Sequence, residues 1–122
     1  MGMKKLGRVV VVTGGRDYQN DRVVNRVLSA YHRVHGIRLL VQGGARGADA
    51  LAKQWAILND VPHRTYKADW NGLGLSAGHI RNQQMLDAEA PHVVIAFPGG
   101  RGTADCQRRA RRAGIQVLKV VS

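Results

Sequence analysis

Two patterns alternate along the chain. Short unbroken apolar runs, each the length of a strand, give way to longer segments whose apolar residues return every three or four positions. Val9 to Val12 is such a run within Arg8 to Thr13, and a continuous β-branched stretch predicts a strand covered on both faces. From Asp21 to His35 the residues Val23, Val24, Val27, Leu28, Tyr31 and Val34 recur at helical spacing, with Asn20 or Asp21 as cap and Gly36 as stop. Ile37 to Gln42 predicts a second strand. About Ala48 to Asn59 predicts a second helix, its buried side built from Ala48, Leu51, Ala52, Trp55 and Leu58. Val61 to Tyr66 reads as a short edge strand, a place where Pro62 is tolerated. An irregular segment, Lys67 to Ala77, leads into a third helix over roughly Ala77 to Ala90, carrying Ile80, Met85, Leu86 and Ala88 and ended by Pro91. His92 to Phe97 is the fourth strand. The last helix covers about Thr103 to Ala113, with Cys106, Ala110 and Ala113 on one side, and Gly114 closes it. Ile115, Val117, Leu118, Val120 and Val121 make the fifth strand.

Strand and helix alternate throughout, which predicts an α/β domain with a parallel sheet and helices on both faces. In the order 3-2-1-4-5 the carboxyl ends of strands 1 and 4 flank the crevice where such folds bind ligands. The glycine-rich exits fall on that rim: Gly14-Gly15-Arg16, Gly43-Gly44-Ala45-Arg46-Gly47 and Pro98-Gly99-Gly100-Arg101-Gly102-Thr103. Glycines let the backbone turn sharply and bring N–H groups up to a ligand, and the start of the following helix favours an anion. The alternative for the last of these exits is a tight turn that serves packing alone.

The chain has 122 residues, enough for one domain over 1–122 with a core that requires no metal or disulfide staple. Its single cysteine, Cys106, excludes an internal disulfide framework. No run of 18 apolar residues and no signal-like segment occurs, so no membrane partner is expected and a cytoplasmic location is the default. Only Met1 to Lys5 read as disordered. The formal net charge is +11, from 19 Lys and Arg against 8 Asp and Glu, which suits nucleotides, nucleic acid or anionic surfaces without choosing among them.

Candidate chemistry concentrates at the rim. Arg16, Arg46, Arg81 and Arg101 are placed there by the topology, and guanidinium groups suit phosphate oxygens. Arg81 and Asn82, near the start of the third helix, are expected to point back into the crevice, and His79 is the histidine nearest to it. Asp49 and Asp105 stand in first helical turns, where capping is the common role. Asp69, beside Trp70 in the long loop, could meet a base or a sugar hydroxyl. Cys106 shares its helix side with Ala110 and Ala113, which argues for packing over nucleophilic use. His32 and His35 share a helix surface without a third ligand, so neither a metal nor a cofactor is expected. Arg108, Arg109, Arg111 and Arg112 form a dense basic block, either a solvated face or a phosphate-backbone contact.

Thr13-Gly14-Gly15-Arg16-Asp17-Tyr18, Gly43 to Asp49 with Leu51-Ala52 and Trp55-Ala56, Ala68-Asp69-Trp70, Gly78 with Arg81-Asn82 and Met85, and Phe97-Pro98-Gly99-Gly100 with Gly102-Thr103 occur in one order over nearly the whole chain. Together they resemble the YspA/YpsA-related branch of the SLOG superfamily, whose relatives include the LOG phosphoribohydrolases and DprA. The resemblance implies a Rossmann-like domain that binds a nucleotide or nucleotide-derived ligand, with Pro98 to Thr103 around the phosphate, and self-association into at least a dimer. LOG enzymes hydrolyse the N-glycosidic bond of nucleoside 5′-monophosphates. Of their Arg-Lys-x-x-Met signature Arg81 and Met85 carry over, and Asn82 replaces the lysine. Of Pro-Gly-Gly-x-Gly-Thr-x-x-Glu, Pro98 to Thr103 match, and Cys106 stands where the glutamate would be.

Three functions follow as expectations. The first is binding of a nucleotide or phosphorylated nucleoside at the carboxyl ends of strands 1, 2 and 4, through Gly14, Gly15, Arg16, Gly43, Gly44, Arg46, Arg81, Asn82 and Pro98 to Thr103. The second is N-glycosidic hydrolysis, with Arg16, Arg81 and the turn over residues 99–103 on the phosphate and Asp69 or Asp105 assisting ribose or water. The third is DNA or RNA binding through Arg108, Arg109, Arg111 and Arg112, as the likeness to DprA suggests.

Overall fold

Valines at the centre of the chain's first apolar run decide where everything else packs. In the computed structural model, which describes residues 7–122, strand β1 (Arg8–Thr13) is the middle of a five-stranded parallel sheet of order β3-β2-β1-β4-β5. Its neighbours are β2 (Ile37–Gln42) and β4 (Val93–Ala96), and β3 (His63–Thr65) and β5 (Gln116–Lys119) are the edges. The five helices are α1 (Asp21–His35), α2 (Ala48–Leu58), the single turn α3 (Trp70–Leu73), α4 (Ala77–Glu89) and α5 (Arg101–Arg112). The reading of Met1 to Lys5 as disordered falls outside the described residues.

Side chains alternate across a strand, so β1 feeds two cores. Val10 and Val12 pack with Val24 and Leu28 of α1 and with Ala52 and Trp55 of α2. Val9 and Val11 pack on the other face with Met85 and Leu86 of α4 and with Cys106 and Ala110 of α5. This is the three-layer, Rossmann-like α/β arrangement that the alternation predicts. Burial on both faces explains why β1 and β4 are almost wholly apolar. No helix among the described residues is long and apolar enough to cross a membrane.

Several expectations require correction. The edge strands are shorter than their apolar runs, and Val121 is exposed beyond β5. Val34 (72% exposed) and Leu58 (74%) keep the helical period but occupy the last turns of α1 and α2, where nothing among the described residues packs over them. Ile80 and Ala88 of α4 also face outward. Within the segment expected to be irregular, Asp69 nucleates α3: its carboxylate accepts the Gly72 N–H at 2.9 Å and its carbonyl accepts the Leu73 N–H at 2.8 Å. A short 3₁₀ turn, Gly74–Ser76, joins α3 to α4.

Candidate functional site

Three loops meet at the carboxyl end of the sheet. The Gly15 N–H donates to the Pro98 carbonyl at 2.8 Å, and the Ala48 N–H donates to the Gly15 carbonyl at 3.1 Å. The exits of β1, β2 and β4 are thus tied by backbone to one another. A β-carbon on Gly15 would press on Pro98 O at 3.0 Å and on the Gly99 Cα at 3.2 Å, and one on Gly99 would overlap the Thr103 hydroxyl. Gly47 holds φ at +77° with its Hα side against the Gly15 carbonyl, a conformation that suits only glycine. Gly100 and Gly102 differ: a β-carbon there would meet nothing within 4 Å, and both line open space. The rim glycines therefore divide by purpose. Gly14, Gly15, Gly47 and Gly99 let loop approach loop, while Gly100 and Gly102 leave the start of α5 accessible.

That start lies in a cavity of about 520 Å³ lined by Thr13 to Arg16, Ala45, Asp49, Trp70, Gly78, His79, Arg81 and Gly100 to Thr103. Gly100 precedes α5 without a side-chain cap, so no capping side chain among the described residues takes up the first-turn N–H groups, the kind of helix start that favours an anion. A second cavity of about 420 Å³ adjoins it and shares Arg16, Ala45, Trp70 and Arg81, adding Gly43, Gly44, Arg46, Lys67 and Ala68. The two are lobes of one cleft.

Arg81 stands on the shared wall, half-buried. Its guanidinium donates to the carbonyls of Gly43 at 2.6 Å and Tyr66 at 3.3 Å, and its Nε to the Asn82 side-chain oxygen at 3.0 Å. Those bonds hold the fork in place. Burial lowers its pKa, and Asp49 opposes that shift. Arg16 is exposed and lies over the Trp70 ring at 5.0 Å, an arginine-on-aromatic contact that bridges the β1 exit and α3. Arg46 is exposed and 3.6 Å from Asp17, a pair both of whose members are solvated.

The carboxylates are disposed differently from the capping roles that their positions suggest, for neither α2 nor α5 has a side-chain cap. Asp49 reaches backward and accepts the N–H groups of Gly43 and Ala45, both at 3.2 Å, so it pins the β2 exit. It is buried and lines the larger lobe; burial pushes its pKa up to about 6 against those two bonds and the field of Arg81. Asp105 is 2% exposed, and its oxygens accept from the Asn82 amide at 3.1 Å and from Arg109 Nε at 2.9 Å, with Arg108 and His79 also beside it. Burial pushes that carboxyl up, yet Arg109 and Asn82 prevail and hold it below the usual carboxylate range. Asp69 caps α3. Cys106 is fully buried in the core of the α4–α5 layer, and burial pushes its thiol up to about 12.

Of the residues expected to bind a ligand, Gly14, Gly15, Arg16, Arg81 and Gly100 to Thr103 line the larger lobe, and Gly43, Gly44 and Arg46 the smaller. The Gly43 and Gly44 N–H groups are already engaged, the latter by the Gln42 side chain at 2.6 Å. Pro98 and Gly99 pack against the β1 exit, and Asn82 is turned into the interior, bridging Arg81, Asp105 and the Gly102 carbonyl at 3.1 Å. The basic block is divided as well: Arg109 and Arg108 serve Asp105, whereas Arg111 and Arg112 are exposed. Lys67 and Trp70 complete the cleft. Sequence spacing did not single them out as cleft-lining residues, because a loop has no period; Trp70 next to an acid in a glycine-bearing loop was the available signal.

Comparisons with known proteins agree with this architecture. Residues 8–72 match the family described as "YspA, cpYpsA-related SLOG family". The chain is 39% identical over 120 residues to the Gene 61 protein of Mycobacterium phage D29, covering 91% of this chain and 94% of that one. It is also 26% identical over 91 residues to acetylglutamate kinase of Phocaeicola vulgatus and 24% over 116 residues to that of Parabacteroides distasonis. It spans only 28% and 38% of those two kinases' lengths.

Proposed function

The chain belongs to the YspA, cpYpsA-related SLOG family, and on that premise we propose that its rim cleft binds a nucleotide or nucleotide-derived phosphorylated ligand. The supporting observation is the convergence of Arg16, Arg81, Arg101 and the uncapped start of α5 on one cavity. A phosphoryl group there would receive backbone N–H bonds at the helix start and charge-assisted bonds from a guanidinium already fixed in place. Because Arg81 is held by Gly43, Tyr66 and Asn82, little side-chain entropy is lost when it engages an anion. Trp70, with Arg16 against it, supplies the flat surface for a base.

Retention of the ligand intact is the better-supported outcome. The side chain at the LOG glutamate position is a buried thiol, and the neighbouring Asp105 has its oxygens engaged by Asn82 and arginine. Neither group reaches water. One observation favours hydrolysis as a second reading: Asp49 lines the lobe with a pKa of about 6, where a carboxylate exchanges protons readily near neutral pH. Calorimetric titration with a panel of nucleoside 5′-monophosphates, followed by chromatography of the recovered ligand, tests both. Binding with intact recovery supports the proposal. Free base released by the wild type and lost in Asp49→Asn favours the second reading, and no binding by any member of the panel overturns both.

A further inference from the structure

The smaller lobe is the part of the cleft that a single phosphate leaves without a role. Its lining contains Arg16, Arg46, Lys67 and Arg81, and no carboxylate among the described residues. Lys67 forms no ion pair among the described residues, and Arg46 has only the solvated contact with Asp17. The Asp49 carboxylate, which lines the larger lobe, is directed at the Gly43 and Ala45 N–H groups. Four cations surround about 420 Å³ and are opposed only by the solvated Asp17 beside Arg46 and by Asp49, which acts on Arg81 and Arg16; the excess of two positive charges favours a dianionic group over a neutral sugar or base. Trp70 and Arg16 stand where the lobes join, and Arg81 faces both.

We infer that the cleft has two separate phosphoryl positions, one at the start of α5 and one between Arg46 and Lys67, with a nucleoside at Trp70 between them. The ligand class is then a nucleotide phosphorylated on two sides of its nucleoside, of which a nucleoside 3′,5′-bisphosphate is the smallest member. This rests on the nucleotide-binding reading above and deepens it. A 5′-diphosphate has the same number of phosphoryl groups but keeps them adjacent, so it fills one lobe and leaves the other empty.

The experiment compares the full chain's affinity for the 5′-monophosphate, the 5′-diphosphate and the 3′,5′-bisphosphate of each common nucleoside, at fixed ionic strength. For the preferred base the bisphosphate binds about tenfold or more tighter than the monophosphate, as an added charge-assisted contact implies. The 5′-diphosphate gains much less. Replacing Arg46 and Lys67 together by Ala brings the bisphosphate-to-monophosphate ratio toward one, whereas removing two exposed charges elsewhere, Arg33 and Lys53, leaves that ratio as it was. A bisphosphate no tighter than the monophosphate overturns this inference and leaves the nucleotide-binding reading standing. So does an equal gain with the 5′-diphosphate, or a ratio that survives loss of Arg46 and Lys67. Failure of all three probes overturns the underlying reading with it.

Discussion

Replacement of Asp49 by Asn separates the two forces acting on the buried carboxylate beside Arg81. Burial raises its pKa from 3.8 to about 6, and the Gly43 and Ala45 N–H groups and Arg81 recover only part of that cost. A group protonated more readily in the folded chain than in the unfolded one favours folding at low pH. Its contribution is complete below about 3.8 and is lost as pH rises through about 6. Above that window the ionised carboxylate costs about 3 kcal/mol relative to its neutral form, since each pKa unit is ~1.4 kcal/mol. Asparagine keeps a carbonyl oxygen for the two N–H donors and carries no charge. In urea denaturation from pH 4 to pH 8 the stability of Asp49→Asn relative to wild type therefore rises by about 2–3 kcal/mol, almost entirely between pH 4 and pH 7. The difference cancels other titrations common to both proteins. A flat difference would show that the two N–H bonds and the Arg81 field balance burial, one that falls with pH that they outweigh it, and either refutes the argument.

Other outcomes follow from the same contacts. Gly47→Ala places a β-carbon against the Gly15 carbonyl at φ +77° and lowers stability by about 1–3 kcal/mol, measured by thermal or urea unfolding. Arg81→Ala removes the fixed guanidinium and weakens binding of the preferred nucleoside 5′-monophosphate by about tenfold or more in calorimetry, with Arg81→Lys recovering only part of it. The Cys106 thiol, pushed up to about 12, reacts with a disulfide-exchange reagent at neutral pH only as the chain unfolds; rapid labelling of the native protein would contradict its burial. Nucleotide binding changes the emission of Trp70, which is exposed, and leaves buried Trp55 as a constant background; Trp70→Phe abolishes the signal.

The division between what sequence determines and what packing decides follows the range of the interactions. Unbroken valine runs in β1 and β4 have one comfortable place, the centre of a sheet covered on both faces, so the strand order and the crevice between their exits were legible from local pattern. The glycine-rich rim was legible for the same reason, as was the packing role of Cys106 one helical turn from Ala110. Periodicity failed where neighbours were missing: Val34 and Leu58 continue an apolar stripe past the end of the surface that would cover it. The site was readable in outline only. Whether a glycine borders open space or a neighbouring loop depends on which backbone lies opposite, and Gly99 and Gly100, adjacent in sequence, answer differently. Asn82 and Asp105 look like rim chemistry until the packing of α4 on α5 turns them toward one another, and Arg109 of the basic block joins them from one turn along α5. Spacing sets which face a side chain leaves from, and it brings Arg109 to Asp105 one turn away; the tertiary structure sets the rest, because partners such as Arg81 with the Gly43 carbonyl and Asn82 with Asp105 come from positions more than twenty residues apart.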